Sequence, residues 1–209
     1  MQHITIENSA GIQGAQTVAM RSDSNHSVFY KCVFLGYQDT LYAKSNEQFY
    51  RECDIHGTVD FIFGFAEVVF QNCNLYARLT NRTIVFTAQG KEFGEQASGF
   101  VIQNSTFTVS PGLEREKRLV KGFLGRPWRN YSTVVVMESS LDDIFNQEGW
   151  TEMPGVGVLN LTFREYRNRG PGSNTSGRVK WPGYKVLYST SEASLYTVAS
   201  FINKDSWIA

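Results

Sequence analysis

The chain lacks a net charge: its 209 residues carry 20 Lys and Arg against 20 Asp and Glu. Without an excess of positive charge, a nucleic-acid binder that draws its affinity from phosphates is excluded. Charged residues are few, at 19%, while 42% are hydrophobic and 14% aromatic, which excludes a charge-rich disordered polymer. No apolar run approaches the roughly 20 residues that a membrane-spanning helix requires. No basic and apolar leader precedes the alternation of Ile4 and Ile6, so a signal peptide is not expected in this chain. Cysteine is limited to Cys32, Cys53 and Cys73, with no Cys-x-x-Cys pair and no zinc spacing, and the odd number leaves at least one thiol outside any internal disulfide. His3, His26 and His56 share no ligand spacing, and Gly-x-Ser-x-Gly, phosphate-loop and HExxH motifs are missing. What remains is an aromatic-rich chain long enough for one domain with a sizeable core.

Six Asn-x-Ser/Thr sequons are present, at Asn25, Asn81, Asn104, Asn130, Asn160 and Asn174. They fit a protein with a secretory history, or simply a β protein rich in Ser and Thr. The basic runs from Arg115 to Arg129 and from Arg164 to Lys185 read first as solvated faces. The halves differ, with 7 basic and 10 acidic residues in 1–104 against 13 and 10 in 105–209. A mildly positive second half suits an anionic polymer.

The cysteines are 21 and then 20 residues apart, and aligning the chain on them exposes a repeat. Val28 to Phe34, Phe49 to Ile55 and Val69 to Leu75 superimpose, with an aromatic three before each Cys and a large apolar residue two after it. Ile6 to Ser9 extends the frame upstream with Ser9 in the Cys column, and Ile102 to Phe107 extends it downstream with Ser105 there. Short β-rich runs repeating every 20 or 21 residues predict an all-β fold, a right-handed parallel β-helix with one coil per repeat. A leucine-rich solenoid is disfavoured, because its Leu spacing and Asn ladder are absent. Column cysteines on neighbouring coils would either reach disulfide distance, Cys53 with Cys73 for instance, or form a buried ladder of free thiols.

Seven residues beyond the column positions Ser9, Cys32 and Cys53 stand Gln16, Asp39 and Asp60. Equivalent places on successive coils would stack them into one ladder, with the two carboxylates roughly 5 Å apart. Such a pair cannot comfortably hold two charges, so one carboxyl should stay protonated near neutrality. It divides naturally into an acid/base and an ionised nucleophile. Both Asp also sit in turn-like sequence, Gln38-Asp39-Thr40 and Gly57-Thr58-Val59-Asp60, which is a purely structural explanation. The amide above the pair and the aromatics Phe61, Phe63 and Tyr42 around it favour a site.

Several segments resemble plant pectin methylesterases, the carbohydrate esterases of the cell wall. They are Gly14 to Met20, Gln38 to Tyr42, Gly57 to Gly64, Leu124-Gly125-Arg126-Pro127-Trp128, and the C-terminal Gly170 to Ser173 and Arg178 to Tyr184. The resemblance runs from about Ile4 to Trp207 and implies a single domain over 1–209 of pectin lyase-like β-helix, lacking the family's first coils. Residues 164–209 are expected to form a C-terminal segment packing on the helix. It further implies hydrolysis of the methyl esters of galacturonate in pectin. Asp60 would be the nucleophile and Asp39 the general acid, then base. Gln16 and Gln38 would donate to the oxyanion, a type of contact worth roughly 3 kcal/mol in other hydrolases. Arg126 would hydrogen-bond and aim Asp60. Trp128, Trp150, Tyr42 and Phe63 would line the sugar cleft. No metal and no cofactor is implied. The expected partners are pectin and, as a further candidate, a proteinaceous inhibitor, with no nucleic acid and no membrane, for a monomer secreted to the cell wall.

The chain departs from the family pattern in three places. The family domain is longer at its N-terminus, and a stack begun partway would present unpaired strand edges. Phe65 replaces a small or polar residue after Gly64 and either crowds the subsite beside Asp60 or points inward. Phe163-Arg164-Glu165-Tyr166 stands where the family has Gly before Glu-Tyr. Two other functions remain open at this level: a non-catalytic relative that binds pectin or an inhibitor, and a lyase using the Asp ladder for calcium, against which Arg126 argues.

Overall fold

The computed structural model describes residues 1–80, 83–202 and 206–208. Among these, eighteen short strands stacked from successive coils form three parallel sheets of five, six and seven strands. The first sheet holds Met20–Ser22, Leu41–Ala43, Val59–Gly64, Ile84–Gln89 and Gly122–Pro127. The second runs from Thr5–Glu7 through Val33–Leu35, Asp54–Gly57, Asn74–Ala77 and Thr106–Val109 to Ser140–Leu141. The third begins at Ser27–Tyr30 and includes Glu47–Arg51, Glu67–Gln71, Gly99–Gln103 and Thr133–Met137. From Thr5 to Met137 the chain winds from second to first to third sheet in every turn, so the architecture is the parallel β-helix that the repeat predicts.

Alternation on each strand sets what goes inside. Asp54–Gly57 and Asn74–Ala77 bury every second residue, so Ile55 and Leu75 enter the core while Asp54 and Asn74 face outward. Identical positions then stack: Phe29, Tyr50 and Phe70 form a ring ladder with centroids 4.5 and 4.8 Å apart. Such aromatic stacks add packing energy beyond the area they bury.

The cysteine column is real, and its thiols are free. Cys32, Cys53 and Cys73 are fully buried and unpaired. Cys53 Sγ donates to the Phe29 carbonyl at 3.4 Å, and Cys73 Sγ to that of Tyr50 at 3.5 Å. Ser105 continues the column, its hydroxyl accepting from the Cys73 amide, and Ser139 follows in the same way. The residue before each column position has positive φ: Lys31, Glu52, Asn72, Asn104 and Glu138 lie between 46° and 56°. This left-handed residue turns the chain from the third sheet into the second, and Asn at two of these places suits it.

The same turn corrects the first coil. Thr5 pairs with Val33, and His3 carries the left-handed φ of 53°, so Ile4 and not Ser9 occupies the column beneath Cys32. A longer excursion from Asn8 to Ala19, containing a 3-10 turn at Ile12–Gly14, shifts the sequence frame there.

Residues 164–209 do not form a separate addition. Thr162–Tyr166 and Tyr184–Val186 extend the third sheet, so the expected boundary at 164 falls inside a strand. The short helical turns within 190–201 lie outside the sheet, and Ala193 and Ile202 pack on Phe49, Val69 and Val101 of its outer face. The basic run from Arg164 to Lys185 is not a solvated face throughout either. Arg178 is buried against Glu165, with Nε–Oε1 at 2.8 Å and Nη2–Oε2 at 3.2 Å. Sequon residues Asn25, Asn104, Asn130, Asn160 and Asn174 are exposed, and Asn81 lies outside the described residues.

Candidate active site

The first sheet presents its outward face as a cleft of about 240 Å³ lined by Gln16, Gln38, Asp39, Asp60, Phe63, Ala88, Arg126, Trp128 and Met153. Residues from six coil segments meet there, which is what stacking in register does to positions far apart in sequence. A larger cavity of about 650 Å³ shares Gln38 with it, but its wall is mainly Ile12, Tyr37, Leu79, Leu119 and Val120, with Glu116 as its one carboxylate. The paired acids make the smaller cleft the candidate site.

Backbone irregularity aims the two aspartates. Pairing of Val59–Gly64 with Ile84–Gln89 shifts register between Val85 and Thr87, so Asp60 and Phe61 together oppose Phe86. This is a β-bulge, a device that re-aims a side chain and recurs beside active sites. Asp60 at φ 52° turns outward, while Phe61 is fully buried against Phe86 at 5.0 Å. Phe61 is therefore core, not an aromatic neighbour of the site. Asp39 has φ 63°, and its amide donates to Val59 O at 3.1 Å. Asp39 sits in a turn and Asp60 at a bulge within its strand, and both line the cleft.

Gln16 is displaced from the expected ladder by one place. It bridges Gln38, not Asp39, because the long first excursion changes the coil length. The cleft still gathers both amides with both acids. Among the described residues Gln16, Gln38 and Asp39 make no side-chain hydrogen bond, which leaves their polar ends free for a ligand.

The carboxylates have unlike surroundings. Arg126 donates from Nε to Asp60 Oδ1 at 2.8 Å and from Nη2 to Oδ2 at 2.6 Å. Burial pushes the Asp60 carboxyl upward, and the guanidinium works against that push. Asp39 has no such cation at hand. Burial first, and the charge of Asp60 second, raise it to about 7, with a weaker opposing pull from Arg126. The arrangement sets a carboxyl group aimed by Arg126 beside one that holds or releases a proton near neutral pH.

The aromatic residues separate into two groups. Phe63 and Trp128 line the cleft in an edge contact of 5.9 Å, and Tyr42 stacks on Phe63 at 4.5 Å as an extension of the wall. Trp150 does not belong to it. This residue is fully buried, packs on Phe163 at 4.6 Å and donates Nε1–H to Glu165. Its backbone bridge to Gly125 instead brings Met153, three residues on, into the cleft. No motif in the sequence marked Met153 or Ala88. Phe65 neither lines the cleft nor enters the core; half-buried, it packs on Trp128 at 4.7 Å.

The fold and the cleft define a parallel β-helical protein with an arginine-clamped aspartate, a second acid and an aromatic wall on one sheet. The chain belongs to the pectinesterase family, whose sequence signature matches residues 1–205. It is 53% identical over 207 residues to pectinesterase 2 of Citrus sinensis, covering 98% of this chain and 41% of that protein. To probable pectinesterase/pectinesterase inhibitor 17 of Arabidopsis thaliana it is 51% identical, covering 98% of this chain and 40% of the relative. The solved pectin methylesterase from carrot superposes with a TM-score of 0.96 at 44% identity, covering 99% of this chain and 66% of that one. The chain thus spans about two fifths of the length of the curated relatives it matches.

Proposed function

We propose that this chain hydrolyses the methyl esters of galacturonate in pectin and releases methanol. The observation that carries the reading is the bidentate Arg126–Asp60 pair beside Asp39, whose carboxyl is raised to about 7. Asp60 attacks the ester carbonyl carbon. The oxyanion of the tetrahedral intermediate accepts from the amides of Gln16 and Gln38, donors already in place in a partly dehydrated cleft. Collapse breaks the bond to the methoxy oxygen, which takes the proton of Asp39 and departs as methanol. Asp39, now ionised, draws a proton from water as the water attacks the acyl-enzyme, and Asp60 leaves as carboxylate. The net change is ester plus water to acid plus methanol.

Phe63 and Trp128 present flat apolar faces to sugar rings. Both Asp60 oxygens are engaged by Arg126, so the calcium-lyase reading has little support. The second reading is a non-catalytic relative that binds pectin or a proteinaceous inhibitor. Location in the cell wall follows from the same proposal, and no helix among the described residues is long and apolar enough to cross a membrane.

Methanol release from methylated pectin, measured alongside circular dichroism, tests the assignment. The expected result is turnover that Asp60→Asn abolishes while the fold persists. Folded protein that releases no methanol supports the binding-only reading, and full activity in Asp60→Asn sinks the nucleophile assignment.

A further inference from the structure

Arg126 stands on the end strand of the first sheet, Gly122–Pro127. On one side that strand pairs in register with Ile84–Gln89. On the other it has no partner strand among the described residues, and a loop meets it through isolated bridges of Gly122 with Phe145 and of Gly125 with Trp150. Leu124 N donates to Gly149 O at 2.7 Å and Thr151 N to Gly125 O at 3.1 Å, so the loop grips the residues just before Arg126. A strand is held by a whole ladder of such bonds. A loop that makes only a few of them takes its position from whatever holds the loop.

Glu165 holds it. This buried carboxylate accepts on Oε1 from Trp150 Nε1 at 3.3 Å and from Arg178 Nε at 2.8 Å. Arg178 in turn donates from Nη1 to Gln147 O at 3.1 Å, and its side chain lies over Gly149, where a Cβ would collide with Cδ. Gly149 has φ 70°, a left-handed turn that brings the backbone this close. Val179 N adds a bond to Glu148 O at 3.1 Å. The loop is thus tied on both sides of Gly149 to one buried ion pair, which the chemistry above does not use. Such a pair adds little net stability over well-packed apolar side chains, and what this one supplies is direction.

The geometry points to Glu165 as a positioning residue: through Trp150 and its bridge to Gly125 it sets the strand from which Arg126 clamps Asp60. The inference rests on the pectin methylesterase reading and extends it by one buried residue outside the cleft. The clamp is sensitive to that setting because its two bonds, 2.8 and 2.6 Å, need guanidinium and carboxylate in one plane. A tilted strand keeps one bond and loses the other. Burial then acts on Asp60 with less opposition from Arg126, so Asp60 takes up its proton at higher pH. Asp39, the second carboxyl of the cleft, has its backbone bonded to Val59 instead.

The test uses two substitutions and a control, at a temperature where circular dichroism shows each variant folded. Glu165→Gln removes the charge that orders the network, and Trp150→Phe removes the Nε1 bond while keeping a ring on Phe163. In both, kcat for methanol release should fall by about 10- to 100-fold, the scale of a misplacement of about 1 Å. The acidic limb of the pH–rate profile should also move to higher pH, and in an Arg126→Gln background neither substitution should move it further. Tyr184→Phe removes a bond to Glu165 that leads away from the loop, so it should lower the melting temperature and leave the limb in place. If Glu165→Gln does not fold, Trp150→Phe decides. An unmoved limb in folded Trp150→Phe, or an equal movement in Tyr184→Phe, overturns the inference and leaves the esterase reading intact. If folded native protein releases no methanol, the esterase reading fails, and an NMR titration of the Asp60 carboxyl carbon decides the point. A midpoint higher in Trp150→Phe than in the native chain then supports the hold on Asp60, and an equal midpoint refutes it.

Discussion

Arg126 and Asp60, 66 residues apart in sequence, meet through two parallel hydrogen bonds, Nε to Oδ1 at 2.8 Å and Nη2 to Oδ2 at 2.6 Å. The fork fixes the plane of the carboxylate as well as its charge, which a point-like ammonium cannot do. Arg126→Lys should therefore lower kcat for methanol release by about 10²-fold, the scale of losing one preorganised donor in other hydrolases. In Arg126→Gln the opposing cation is gone and burial acts on Asp60 alone. The acidic limb of the pH–rate profile should move to higher pH, and an unmoved limb would show that Arg126 does not hold Asp60 down.

Asp39 gives a prediction in stability as well as rate. Its carboxyl is near 7 when folded against an ordinary value of 3.8, so the folded state holds a proton that the unfolded chain releases. Stability from this group is complete below about pH 4 and is lost as pH rises through about 7. Asp39→Asn, which mimics the protonated form, should melt higher than the native chain at pH 8 and no higher at pH 4. Melting curves at the two pH values check the sign. Turnover in the native chain should decline as pH rises past about 7, where the acid that protonates methoxide is spent.

Gly90 holds the Trp128 side of the cleft open to its own support. A Cβ there would meet Phe65 Cε1 at 2.7 Å and Trp128 Cε3 at 2.9 Å, so one ring must shift. Gly90→Ala should raise KM for methylated pectin by several-fold more than it lowers kcat, since Trp128 is the proposed sugar contact and Asp60 is untouched. An unaltered KM would remove Trp128 from the binding surface.

Glu165 binds a buried network. It accepts from Arg178, Trp150 and Tyr184, and Arg178 also donates to the carbonyls of Gln147 and Gly172. Removing one partner strands the other charge in the interior, so Glu165→Ala should cost about 3–5 kcal/mol in denaturant unfolding. A loss below about 1 kcal/mol would mean that water reaches Arg178 and replaces the carboxylate.

Regularity decided how far the sequence could be read. From Cys32 to Ser105 the coils share one turn, a left-handed residue followed by a small buried one, and there the column positions stand where the spacing put them. The first coil breaks the pattern with its long excursion, so Ser9 falls outside the column and Gln16 stands one place off the ladder. Trp150 and Met153 illustrate the same limit at a finer scale. Both lie on one loop three residues apart, and only the bridge to Gly125 and the bond to Glu165 determine that the tryptophan goes inward and the methionine to the cleft.

By itself the sequence determined the repeat, and with it the stacking of Asp39 and Asp60 on neighbouring coils, because a period-two strand in a fixed-length coil leaves one place for each residue. The segments around Gln16, Asp39, Asp60 and Arg126 also carried the family resemblance. Tertiary structure alone decided what each group can do. The bulge at Asp60, the approach of Arg126 and the burial of Asp39 make two chemically identical carboxyls unequal, and no spacing encodes an electrostatic environment assembled from six segments of chain.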